Sequence, residues 1–239
     1  MKNMKSYKID GTHEVIFSRD MTIAELLDTD YHLLSILERL GIELPFGDMT
    51  VGQMCDRYGM SSALFLQICR IYATSDEEVS TDELHTEDLT TLIKFLRSSH
   101  HYYLDVILPR IEAGIESVLQ YCDLRQQLLL RRFYTDYEAE VREHLQYEDD
   151  TMFPYLEALV SGKQPEPEMI EHYLDNHTDI CEKIDDMKSI IIKYLPERCS
   201  IHQRCDLLYD VYAMREDLAR HTLLETDLMA PLALMAHKQ

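Results

Sequence analysis

The chain has 239 residues, with 44 acidic against 23 basic side chains and a formal net charge of −21. That balance argues against nucleic acid as a partner, because phosphate contacts need clustered Lys and Arg. Apolar residues reach 46%, enough for a packed core, and only 7 Gly and 7 Pro break the helix-forming runs, so an all-α protein is expected. No apolar run approaches a membrane span and no signal-peptide core is visible, which predicts a cytoplasmic protein with no membrane contact. The six Cys are scattered without a C-x-x-C pair and are read as reduced core residues.

Taken in order, residues 1–20 lack a firm helical period and read as a tail or short extended segment. Thr22 followed by Glu25 forms a capping box opening an apolar-periodic helix that runs to Gly41. Thr50–Tyr58 and Ser61–Tyr72 read as two more helices split by Gly59. Residues 1–75 are thus expected to form a small three-helix N-terminal domain. Its last two helices resemble a helix-turn-helix, but Ser62–Tyr72 offers few polar groups for base edges, so a docking or dimerisation unit, and hence a homodimer, is the better expectation. The acidic stretch Thr74–Glu83 is the predicted linker.

Residues 84–239 are expected to hold four long helices, over about 86–121, 123–160, 169–194 and 201–237, separated by short breaks. Such short connections make successive helices antiparallel neighbours, hence an up-down-up-down four-helix bundle. Pro109 and Pro154 fall inside predicted helices, where kinks are expected.

Within the second helix His144 and Glu148 lie four apart, so they share one helical face. The pair returns as His221 and Glu225, and Pro154 and Pro231 each stand six residues beyond the Glu. A further His precedes each pair by 43–44 residues: His101 (with His100 beside it) and His177. Alone, each is an ordinary surface pair or core histidine. Counted from the breaks between helices, however, all four His fall at similar height, roughly 30 Å from one end of the bundle. Two matched half-sites of four His and two Glu form a metal-site pattern. His13, His32, His85, His172, His202 and His237 have no such partners. Spacing does not choose between His100 and His101. Tyr103 and Tyr147 are candidates to line the pocket.

Six N and O donors without thiolate argue against structural zinc, and His–x3–Glu is not the Glu-x-x-His of ferritin-like sites. Imidazole plus carboxylate suits iron. Two six-coordinate irons bridged by both Glu and an oxo or hydroxo group would leave about two positions open. Such a site takes a small guest.

The segments His100–Ile111, His144–Pro154, Asp175–His177 and His221–Pro231 resemble the hemerythrin-like di-iron domain of the bacterial iron–sulfur cluster repair family, over about 150 residues. The resemblance implies His101, the second His of the pair, as ligand, together with His144, Glu148, His177, His221 and Glu225, both Glu bridging two irons. It also implies a role in nitrosative and oxidative stress, with O2 or NO as diatomic ligand and iron–sulfur proteins as clients. Leu37–Cys55 is similar to that family's N-terminal domain, but Pro45 and Phe46 stand where the family carries Cys-Cys. Thiol chemistry there is not expected. The competing readings are a reversible O2 or NO binder or sensor, and a di-iron oxidase, for which no substrate pocket is visible.

Overall fold

The computed structural model describes residues 17–73, 79–163, 169–170, 173 and 180–237. Among them every regular element is helical, and one isolated antiparallel bridge joins Thr22 to Thr50. Helix α1 (Ile23–Thr29) starts as expected: the Thr22 hydroxyl accepts from the Glu25 N–H at 3.1 Å, and Glu25 accepts from the Thr22 N–H at 2.9 Å. The helix does not run through to Gly41. It stops at Asp30, whose backbone is extended and whose carboxylate accepts the His32 N–H at 2.9 Å, and α2 (Leu33–Arg39) begins afresh. Asp30 here offers the backbone a local alternative to the helical bond.

A second capping box, Thr50 with Gln53, opens α3 (Val51–Tyr58). The helix ends on Gly59 at φ 65°, a left-handed position that costs a Gly nothing sterically. No residue of α4 (Ser62–Ala73) is exposed, and Leu64 through Cys69 form an unbroken buried row. Its faces are covered by α2, α3 and a later long helix, so it presents no recognition face. Of the expected linker, residues 74–78 lie outside the described set.

The long helices follow the expected spans. The first is α5 (Asp88–Tyr102), a π-helical turn (Tyr103–Ile107) and α6 (Leu108–Leu119). The second is α7 (Leu124–Tyr147), a π turn (Glu148–Met152) and α8 (Phe153–Val160). Of the third, α9 (Cys181–Tyr194) is described. The last is α10 (Ile201–Leu223), a π turn (Leu224–Met229) and α11 (Ala230–Ala236).

The prolines explain the π turns. Proline has no N–H to give, and its ring collides with the carbonyl four residues back. Widening the turn removes the collision. Leu108, Phe153 and Ala230, each just before a proline, donate to the carbonyls five back, on Tyr103, Glu148 and Glu225. The strain expected at Pro109 and Pro154 is therefore taken up as an inserted turn, as it is at Pro231.

α6 packs against α7 and α10, and α9 packs against the same two. The approach of α6 to α10 is close: a Cβ on Gly114 would lie 2.9 Å from Leu207 Cδ1. At the other end α5 packs on α2 and α8, α11 on α8, and α10 on α4. Two apolar cores result. The first joins α1–α4 to one end of the long helices through Leu96, Met152, Phe153, Tyr173, Leu224 and Leu228. The second fills the other end, from Tyr103 and Ile107 to Leu145, Met187, Val211 and Leu218. Each large side chain buried in either contributes about 1.5–3 kcal/mol. The first core runs without interruption across the boundary expected near residue 75.

Candidate metal centre

Between the two cores, polar side chains replace apolar ones on three long helices. Along α5 and the π turn that follows it, the buried stripe Leu89, Ile93, Leu96, His100, Tyr103, Ile107 has alternating steps of four and three, and His100 is its one imidazole. Glu148 opens the π turn after α7, His144 stands one turn before it, and His221 and Glu225 repeat the arrangement around the end of α10.

His100, Glu148, His221 and Glu225 are all buried, and each offers one donor atom within 4.8 Å of the others. The Nε2 atoms of His100 and His221 are 3.2 Å apart. His100 Nε2 is 3.2 Å from Glu148 Oε2, and His221 Nε2 is 3.1 Å from Glu225 Oε1. His144 Nε2 lies 3.1 Å from Glu148 Oε1, with only 11% of its side chain exposed. Tyr173, from the third long helix, donates its hydroxyl to Glu148 Oε1 at 2.7 Å. Burial drives the Tyr173 hydroxyl pKa far up, reinforced by the charges of Glu225 and Glu148, so it stays a donor.

Two carboxylates with no solvent contact are costly unless a cation compensates them. Burial pulls the His100 pKa down, but the carboxylates of Asp149 and Glu148 outweigh it and hold it at about 9. Converging imidazole nitrogens and carboxylate oxygens in a closed, apolar-walled layer fit a divalent metal of the iron or zinc type, and the absence of sulfur from the set favours iron.

The structure corrects the choice between the two adjacent histidines. His101 is 78% exposed and its Nδ1 sits 3.6 Å from Asp105 on the outer face. One residue along a helix is a rotation of about 100°, so only one of the pair can face inward. The apolar stripe assigns that place to His100. His177 lies outside the described residues. Glu148, His221 and Glu225 lie together with His100, and His144 stands beside Glu148. Tyr147 is 45% exposed and turns away, whereas Tyr103 is buried with its ring edge-on to His221, centroids 5.6 Å apart.

Four residues beside the centre escaped sequence reasoning: Asp149, Tyr173, Asp217 and Arg39. Asp149 Oδ2 lies 3.2 Å from His100 Nδ1. Asp217 stands one turn before His221 and is joined to Arg39 of α2. Tyr173 stands four residues before His177, a helical spacing that could have marked it. Cys55 is buried, and burial pushes its thiol up to about 12. It is no ready thiolate.

Comparison with known proteins agrees with the geometry. The family described as the hemerythrin HHE cation binding domain matches residues 91–233. An iron-sulfur cluster repair protein, ScdA of Staphylococcus haemolyticus, is 24% identical over 139 residues, 56% of this chain and 61% of that protein. The chain therefore spans about three fifths of that relative's length. No solved structure matches. The stretch that carries all the described ligand candidates lies inside the matched residues, and the chain belongs to the hemerythrin HHE cation binding domain family.

Proposed function

We propose that the chain is a non-haem di-iron protein that serves the repair of iron–sulfur centres under nitrosative or oxidative stress. The observation that carries the reading is the closed group His100, Glu148, His221 and Glu225, four buried N and O donors within 4.8 Å. His144 joins it through Glu148, and His177 completes the pattern of two matched half-sites. The closed ring of packings among α6, α7, α9 and α10 supports a four-helix bundle around this layer, with the N-terminal helices as a cap on one end. The name of the ScdA relative supports repair as the role, with iron–sulfur proteins as clients. No described helix is long and apolar enough to cross a membrane, which is compatible with a cytoplasmic setting.

A bound pair of irons would supply one-electron chemistry and open positions for O2 or NO. The chain's own contribution is to hold that pair and keep water from it. Glu148 and Glu225 supply negative charge from opposite half-sites. The apolar rows on both sides lower the local dielectric, which strengthens every ligand contact inside. Tyr173 holds one Glu148 oxygen by a hydrogen bond and so fixes which way that carboxylate faces.

The test is metal analysis of the purified chain together with its visible spectrum before and after NO. About two irons per chain and a spectrum altered by NO are expected, with loss of both in Glu225→Ala. A chain that takes up no transition metal would sink the proposal. The same dry layer also favours a second reading, a reversible O2 or NO binder or sensor. A stable oxygen adduct that dissociates intact would select it over repair.

A further inference from the structure

The four ligand candidates do not explain why an arginine is buried between α2 and the long helices. Arg39 is 7% exposed. Its guanidinium meets Asp217 through both nitrogens, with Nη1 2.8 Å from Oδ1. Nη1 also lies 3.0 Å from the Tyr72 hydroxyl and 3.3 Å from Ser99 Oγ. The carbon at its centre stands 4.5 Å from the Tyr102 ring centroid and 5.6 Å from that of Tyr103. Tyr72 and Tyr103 both donate to Asp217 Oδ1, at 2.9 and 2.8 Å. One side chain from the N-terminal region thus touches residues flanking His100 on α5 (Ser99 before it, Tyr103 after) and, on α10, the carboxylate one turn before His221.

The two imidazoles have different surroundings. Neither buried Nδ1 makes a hydrogen bond among the described residues. His100 Nδ1 has the Asp149 carboxylate 3.2 Å away as an ion-pair neighbour, whereas the His221 ring is held by the packing around it. What stands against the His221 ring is Tyr103, edge-on at 76°. Tyr103 is in turn fixed by Asp217, and Asp217 by Arg39.

We propose that Arg39 is a positioning residue of the metal centre, acting through Asp217 and Tyr103 on the orientation of His221. On this view the N-terminal helices are part of the metal site's scaffold, and they set the spacing of the two imidazole nitrogens that lie 3.2 Å apart. The inference rests on the metal reading above.

It is tested on the full chain loaded with iron(II), comparing wild type with Arg39→Met, the double variant Arg39→Met/Asp217→Leu, and Tyr103→Phe. The readouts are circular dichroism, the visible spectrum of the centre, and the rate at which a chelator removes the iron. Arg39→Met leaves the Asp217 carboxylate buried without its cation, so it also weakens the fold. The double variant replaces the ion pair by apolar volume and restores stability, yet it still frees Tyr103. Both should release iron about tenfold faster or more, with a displaced absorption band. Tyr103→Phe keeps the ring and loses the anchor, giving a smaller displacement in the same direction. A folded double variant with wild-type spectrum and release rate overturns the inference. If the double variant does not fold, an unchanged spectrum and release rate in folded Tyr103→Phe overturns it instead. If the wild type itself loads no iron, the metal reading falls, and this inference with it.

Discussion

The two half-sites share one plan, a His and a Glu four apart with a proline six residues beyond the Glu, but they are built into the protein unequally. Around His144 and Glu148 the supports are lighter: His144 keeps some solvent contact, Asp149 is 36% exposed, and Tyr173 donates to Glu148. Around His221 and Glu225 the described residues leave little opening. His221 and Glu225 are buried, and behind them lies the layer of Tyr103, Asp217, Tyr72 and Arg39. A repeated motif therefore does not imply equivalent halves. Among the described residues, one half is the more enclosed and the other lies nearer to solvent.

That contrast can be broken most severely at the carboxylates. Glu225→Ala should abolish metal loading, and Glu148→Ala should remove at least half, both read as iron per chain after reconstitution. Equal, wild-type loading in both variants would refute the site. Next comes the adjacent pair on α5. His100→Ala should lose iron, whereas His101→Ala should load fully and change stability by less than about 0.5 kcal/mol, as exposed substitutions do. The reverse result would restore the outer histidine as ligand.

The supports are expected to differ in the same sense. Asp217→Ala strips a buried arginine of its partner and should cost about 3–5 kcal/mol in denaturant unfolding, while Asp149→Ala, at a partly exposed side chain, should cost under about 1 kcal/mol. Burial pushes the Asp217 carboxyl up, but Arg39, Tyr103 and Tyr72 pull it below its ordinary value. A depressed folded pKa contributes stability above the unfolded value and loses it as pH falls through the folded one. Asp217→Asn should therefore flatten the acid limb of the stability curve below about pH 4. Tyr173→Phe removes the hydroxyl that donates to Glu148 and should cost about 1 kcal/mol. A larger loss there would mean the lighter half is less independent than its exposure suggests.

Much of this was legible in the chain itself. The capping box at Thr22, the spans of the long helices and the half-site spacing follow from local chemistry and helical period. The inward histidine was legible too, since Leu89, Ile93, Leu96, Tyr103 and Ile107 place His100 on their stripe. Family resemblance pointed to the neighbour instead, and packing overrules it. The break at Asp30 required weighing one carboxylate against two turns of good helix former. Arg39 and Asp217, 178 residues apart, were beyond reach. A lone Arg at the end of an amphipathic helix reads as solvated, and only the tertiary arrangement shows that it is enclosed by aromatic rings.

The three π turns have a consequence for the way each long rod serves its neighbours. One extra residue in a turn rotates everything after it by about 100° relative to an uninterrupted helix. The stretch before each proline and the stretch after it can then offer different stripes, one to the α1–α4 side and one to the far core, without a loop between them. The chain thereby welds two interlocking apolar masses end to end along continuous backbone, and the seam where the rods change phase is the same layer that gathers the imidazoles and carboxylates.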